Sequence, residues 1–247
     1  MKLVKYSAAA ALLLSVGAAG FTLDANAADK TVNTQGKISL EADTSGGQPT
    51  DPVDPTKPVK PTDPEGPGTS GPLSIDVATN FNFESGKVST KDETYKALPT
   101  KVETESGAIE ERPNYVQVTD KRGGQKGWTL SLVQNGQFKA ATSGNELAGA
   151  EITIKNMETV ATPGTLATAP SIAPSSVTLS STGASTNTIL AADEDEGGGT
   201  WISRFGDLST MGDSVELKIP GKSVQEADQY TTSLTWTLSE TPANTTP

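Results

Sequence analysis

The 247-residue chain contains no cysteine and no histidine. Without cysteine there is neither a disulfide framework nor a lipid-modified N-terminal cysteine, so the core alone must stabilise any fold. Without histidine the commonest metal ligand and the usual general base are missing. Triads built on histidine and zinc sites built on His or Cys are excluded. Basic residues are also in short supply: 19 Lys and Arg stand against 30 Asp and Glu, a formal charge of −11. A chain of this sign has little reason to bind nucleic acid and is repelled on average by anionic polymers, so adhesion to them requires a local patch or neutral contacts. Long apolar runs are absent except near the N terminus, from Ala8 to about Phe21. That run is short for a spanning helix, which needs about 20 residues. It follows Lys2 and Lys5 and precedes Ala25-Asn26-Ala27, so residues 1–27 read as a secretory signal cleaved after Ala27. Its removal takes away Lys2, Lys5 and Asp24 and leaves 17 basic against 29 acidic residues, a formal charge of −12. The mature chain is expected to be secreted and not membrane-spanning.

Residues 28–48 are polar, with one brief strand-like stretch at Lys37 to Leu40. Prolines then fall at 49, 52, 55, 58, 61, 64 and 67, a strict period of three that matches polyproline II. At about 3.1 Å per residue this stretch would extend about 60 Å, so residues 49–72 are expected to be a semi-rigid, proline-rich spacer, with a docking ligand for a proline-binding partner as the alternative. From Leu73 onward, short alternating runs are separated by Gly, Pro, Asn, Asp or Ser. They include 73–77, 115–119, 128–133, 150–154, 176–179, 214–219 and 231–238. Helical periodicity is weak, and the spacing predicts an all-β domain over 73–247, a β-sandwich of the Ig-like or Greek-key type. Tyr115 to Val133 reads as a hairpin through Gly123 and Gly124. The interval 136–149 reads as a loop, and 161–187 as an extended surface excursion crossed by one strand.

Within this part the tetrapeptide Trp-Thr-Leu-Ser occurs twice, at 128–131 and 236–239, and uses two of the three tryptophans. A period of two puts Trp128, Leu130 and Leu132 on one strand face, and Leu234, Trp236 and Leu238 on another. The tryptophans either anchor packed sheets or, if exposed, offer indole faces to sugar rings; a Trp on an alternating strand is usually buried. Lys121, Arg122 and Lys126 form a dense basic cluster, readable either as a polymer-contacting patch or as a hydrated hairpin tip. Asp193-Glu194-Asp195-Glu196 crowds four carboxylates beside three glycines. That run matches no EF-hand loop, and calcium binding competes there with a simple solvated loop. No carboxylate pair is singled out for glycoside hydrolysis, and no Ser-x-x-Lys precedes a plausible helix. No enzyme and no cofactor is expected.

Several motifs together resemble the WxL-domain surface proteins of low-GC Gram-positive bacteria. Tyr230-Thr-Thr-Ser-Leu234-Thr235-Trp236-Thr237-Leu238-Ser239-Glu-Thr-Pro242 looks like the distal motif of that family. Gly127-Trp128-Thr129-Leu130, preceded by Val118-Thr-Asp120-Lys-Arg122-Gly123, looks like the proximal one. Trp201 to Asp207 and Gly71 to Ile75 add to the likeness, which covers about residues 71–242. The resemblance implies a small WxL protein held non-covalently on the cell wall through peptidoglycan. Trp128, Thr129, Leu130, Tyr230, Leu234, Trp236, Thr237 and Leu238 are the motif residues implicated. It further implies partners: a membrane-anchored WxL-interacting protein, other surface proteins, and host matrix proteins in adhesion. A scaffold in a multi-protein envelope complex is the expected role. The alternatives are an interaction subunit retained by a membrane-anchored partner and, more remotely, a carboxylate-dependent wall glycan hydrolase.

Overall fold

The computed structural model describes residues 30–62, 68–165, 167–180, 182 and 185–242. The expected signal at 1–27 and the last prolines of the period, Pro64 and Pro67, lie outside the described residues. The chain divides into two compact units, Met1–Leu40 and Glu41–Pro247. In the first, residues 30–40 are exposed and carry no regular secondary structure. No described helix is long and apolar enough to cross a membrane.

The second unit is all-β, as the alternating runs predict. In chain order its strands are β1 (Val59–Pro61), β2 (Leu73–Ala78), β3 (Glu93–Lys96), β4 (Thr100–Thr104), β5 (Ile109–Arg112), β6 (Tyr115–Asp120), β7 (Trp128–Gln134), β8 (Lys139–Ala140), β9 (Glu151–Ile154), β10 (Met157–Ala161), β11 (Val177–Thr178), β12 (Asn187–Ala192), β13 (Gly199–Phe205), β14 (Val215–Ile219), β15 (Tyr230–Thr231) and β16 (Leu234–Ser239). Two four-stranded sheets, β10-β13-β6-β2 and β11-β9-β14-β3, join a three-stranded sheet β12-β7-β16, and every named pairing is antiparallel. Their inner faces share one apolar core that includes Val116, Val118, Trp128, Leu130, Leu132, Ile152, Ile154, Leu190 and Phe205.

Strand β6 is buried along its whole length, which calls for cover on both faces. Val116 and Val118 face the shared core. The alternate residues Tyr115, Gln117 and Thr119 turn the other way, toward the segment that follows Glu41. There the Thr50 N–H and hydroxyl both donate to Gln117 Oε1, at 2.9 and 3.0 Å. The Gln117 amide in turn donates to Gln48 O and to the buried Asp76 carboxylate, at 2.8 and 2.7 Å. Asp76 also accepts from the Gly47 N–H and from the Ser74 and Thr119 hydroxyls. A register shift between Ile75 and Val77 makes Asp76 the bulged residue of β2, which turns its carboxylate toward these donors. Gly47 fits only because it has no side chain: a Cβ there would collide with Asp76 and Thr119.

The proline-rich stretch therefore differs from the extended spacer its period suggests. Residues 49–59 fold back on themselves: Asp51 N–H donates to Lys57 O and Val59 N–H to Pro49 O. Asp51 Oδ1 accepts from the Val53 and Asp54 N–H groups, while its carboxylate is paired with Arg112 at 2.8 Å. β1 then pairs with β4 in a sheet ordered β1-β4-β5. Proline spacing leaves two N–H groups free in every three residues, and here enough of them find acceptors to fold the segment.

A second difference concerns β6 and β7. They are consecutive but do not form a hairpin, because β6 lies between β13 and β2 whereas β7 lies between β12 and β16. The glycine-rich connection crosses between sheets. The 136–149 interval, expected to be a loop, contains β8 and buries Phe138, Ala140 and Leu147. The excursion over 161–187 is crossed by β11, as expected.

Candidate functional site

The two Trp-Thr-Leu-Ser copies lie side by side on adjacent antiparallel strands, β7 and β16. Their register pairs Thr129 with Ser239, Leu130 with Leu238, Ser131 with Thr237 and Leu132 with Trp236. Paired residues in a sheet point to the same side. The two apolar rows, which the sequence assigns to separate strands, thus form one face: Trp128, Leu130 and Leu132 are fully buried, and Leu234, Trp236 and Leu238 pack half-buried against the same core. The Trp128 indole N–H donates to Gly197 O at 2.9 Å. Trp201 makes the same kind of bond to Gly198 O at 3.1 Å, so two indoles hold one glycine turn. Gly197 sits at φ 70°, and a Cβ there would lie 2.6 Å from Trp128 Nε1.

The opposite face carries the hydroxyls. Thr235 and Thr237 are exposed, Thr129 and Ser239 half-exposed, and Ser131 nearly covered. Asn135 bridges the Ser233 and Thr235 hydroxyls at 3.0 and 2.8 Å. Thr129 Oγ1 donates to Thr241 O, and Ser131 Oγ to Thr237 O. Thr129 and Thr237 are among the site residues expected from the motifs; Thr235 and Ser239 stand there only as part of the distal motif, and Asn135 is new. The signal was present in the alternation itself, which fixes the outward face as soon as the inward one is known.

The basic cluster is not one surface. Arg122 is buried in a bidentate pair with Asp120, at 3.0 and 2.7 Å, and also donates to Gly127 O. The pairing with Asp120 raises its pKa above the ordinary guanidinium value, against the opposing effect of burial. Lys121 pairs with Asp43 at 3.0 Å, and Lys126 is exposed on the loop. In the acidic run, burial works against ionisation of Glu196. The Asp193 and Ser171 N–H groups, donating at 3.0 and 2.9 Å, nevertheless hold its carboxyl below the ordinary range. Among the described residues no three acidic side chains gather as a cation site.

Tyr230, Leu234 and Trp236 reach a different feature, a groove of about 1350 Å³ between β16 and the segment 79–88. Its walls include Phe81, Phe83, Ile152 and Leu217, and its lining carries Glu84, Glu226 and Asp228 against one Lys87. The Tyr230 hydroxyl accepts from the Glu226 N–H at 2.7 Å, which ties β15 to one end of the groove. Trp128, Thr129, Leu130, Thr237 and Leu238 do not line it.

No curated protein and no solved structure matched the chain. A family match spans residues 27–242, the WxL domain, described as surface cell wall-binding. It reaches well N-terminal of Gly71, in keeping with the packing of residues 41–62 on the β-domain. This is a cell-wall-binding family and not an enzyme family. With its paired Trp-x-Leu strands, the chain belongs to the WxL family of cell-wall-binding surface proteins.

Proposed function

We propose that the protein is retained on the wall by non-covalent binding to peptidoglycan, and that the outward face of β7 and β16 makes the contact. One observation carries this reading: in both motif copies every Trp and Leu points to the core and every Thr and Ser points away. Thr129, Thr235, Thr237, Ser239 and Asn135 offer neutral hydrogen-bonding groups, the chemistry suited to a glycan approached by a protein of net charge −11. Trp128, Leu130, Leu234, Trp236 and Leu238 then act by holding the strand pair flat. Of the basic cluster, Lys126, exposed two residues before β7, is left to add a contact to an anionic group.

The role is that of a non-catalytic scaffold. Having a wall-facing sheet of its own, the domain leaves other surfaces for a membrane-anchored WxL-interacting protein, for other surface proteins and for host matrix proteins in adhesion. Peptidoglycan stripped of proteins and teichoic acids tests the reading by co-sedimentation with the chain from Ala28 onward. Saturable binding is expected, and Thr129→Val with Thr237→Val is expected to weaken it while leaving the circular dichroism melt unchanged. Each hydrogen bond lost removes about 1 kcal/mol, roughly fivefold in affinity. Absence of co-sedimentation would replace this reading with retention by a membrane-anchored partner. Release of reducing sugar from the wall would revive the hydrolase alternative.

A further inference from the structure

The segment that follows Glu41 is tied to the β-domain by Thr50, Gln117 and Asp76, none of which belongs to the wall-facing surface. The hydrogen bonds there are arranged around one primary amide. Thr50 places both its N–H and its hydroxyl on Gln117 Oε1, at 2.9 and 3.0 Å. On the other side of the same amide, Nε2 donates to Asp76 Oδ2 at 2.7 Å and to Gln48 O at 2.8 Å. A hydroxyl and a carboxylate thus flank the amide where water is kept out: Gln117 is 0% exposed and Asp76 8%.

A carbonyl carbon polarised by two donors is an electrophile, and a neighbouring hydroxyl is a nucleophile once its proton has somewhere to go. With a C=O bond of about 1.2 Å, the Thr50 hydroxyl oxygen is no more than about 4.2 Å from the Gln117 amide carbon. A small side-chain rotation brings this to the ~3–3.5 Å of an attack-ready pair. Folding holds the two groups together, and such fixed proximity is what accelerates an acyl transfer that is otherwise very slow. The Thr50 N–H is placed to stabilise the negative charge that develops on Oε1. The Asp76 carboxylate, bonded to Nε2, is placed to deliver a proton to the departing nitrogen.

We propose that Thr50 and Gln117 join in an intramolecular ester with release of ammonia. The bond from Thr50 Oγ1 to Gln117 Cδ forms, and the bond from Gln117 Cδ to Nε2 breaks. The hydroxyl proton ends on the nitrogen, carried there by Asp76, which is regenerated. Nothing is oxidised or reduced, and no co-reactant is needed. Loss of ammonia to solvent drives the step forward, and the dry surroundings protect the ester from hydrolysis. The link joins positions 67 apart in sequence, a covalent tie in a chain that has no cysteine to form a disulfide. It fastens the proline-rich segment to β6, where a surface protein under pull would otherwise peel.

The mass of the folded chain from Ala28 onward, read after denaturation, tests this. A mass below that of the sequence by one ammonia, about 17 Da, is expected, and proteolysis is expected to yield a linked pair of peptides carrying Thr50 and Gln117. Thr50 is only half-buried, so Thr50→Val is expected to fold, to show the full mass and to migrate more slowly on a denaturing gel than the looped wild type. Thr50→Ser keeps the nucleophile and is expected to lose ammonia again. Thermal melts confirm that both variants fold, and the peptide pair from wild type stands independently of them. A folded wild-type chain of full sequence mass overturns the proposal. So does a loss of the same size that persists in Thr50→Val, as ring closure at Asn135-Gly136 would give.

Discussion

The same four residues, Trp-Thr-Leu-Ser, occur on two neighbouring strands and meet different surroundings. In β7 the tryptophan is fully enclosed and hydrogen-bonded to Gly197, whereas in β16 it is half-buried at the margin of a groove. The cause is position in the sheet: β7 has a partner on each side and β16 has one. A short motif fixes which face of a strand is apolar, but the number of neighbouring strands fixes how deeply that face is buried.

Truncating each tryptophan in turn separates the enclosed copy from the marginal one most strongly. Trp128→Ala is expected to cost about 3–5 kcal/mol, through lost burial and the cavity left behind. Trp236→Ala should cost clearly less, about 1–2 kcal/mol, because its side chain is already partly in contact with water. Denaturant melts of the two variants check the ranking, and equal losses would show that edge position does not matter. Next in size is Gly197→Ala. At φ 70° and against the Trp128 indole, it is expected to cost about 1–3 kcal/mol, with the effect shrinking in a Trp128→Phe background. Among the described residues no glycine is set against Trp236 in this way, so only the β7 copy is expected to show this coupling in a double-mutant cycle.

The outward residues should behave in the opposite manner. Thr129→Val and Thr237→Val are expected to change stability by no more than about 0.5 kcal/mol, yet to weaken wall co-sedimentation. Wall binding and melting temperature measured on the same preparations would separate the two faces.

The smallest effect expected is one of pH. The Asp207 carboxyl, bonded first by the Ser209 hydroxyl and then by Thr210, is held at about 2, and Asp43, bonded by Ser45 and Lys121, is also held at about 2. Because both values are lowered on folding, their stabilisation is present above the ordinary carboxylate range. It is lost as pH falls from about 4 to about 2. A melt series across that window is expected to show a shallow decline in wild type. The Asp207→Asn and Asp43→Asn variants should decline less.

Much of the strand content was legible in the sequence. The runs at 73–77, 115–119, 128–133, 150–154 and 214–219 coincide with β2, β6, β7, β9 and β14, because a half-buried strand must alternate and its ends need turn residues. What was not legible is who pairs with whom. β6 and β7 look like a hairpin because only seven residues, three of them glycine, separate them, yet each already has two other partners. The prolines of 49–61 look like a spacer because period three suits polyproline II. Nothing local reveals that Asp51 meets Arg112, or that Thr50 meets Gln117, across 61 and 67 positions of sequence. Arg122 likewise looks like part of a basic patch until Asp120 and Gly127 enclose it.

Composition and alternation alone specify a β-rich chain without disulfides, histidine chemistry or His/Cys zinc sites, and two motifs each with an apolar and a hydroxyl face. Alternation and composition are local properties and survive without knowledge of the fold. That both apolar faces enter one core, and that both hydroxyl faces share one surface, follows from the pairing of β7 with β16. Only the tertiary structure places the edge of β16 beside a groove. Register and sheet order depend on contacts between residues far apart in the chain, and no local pattern encodes which distant strand will supply them.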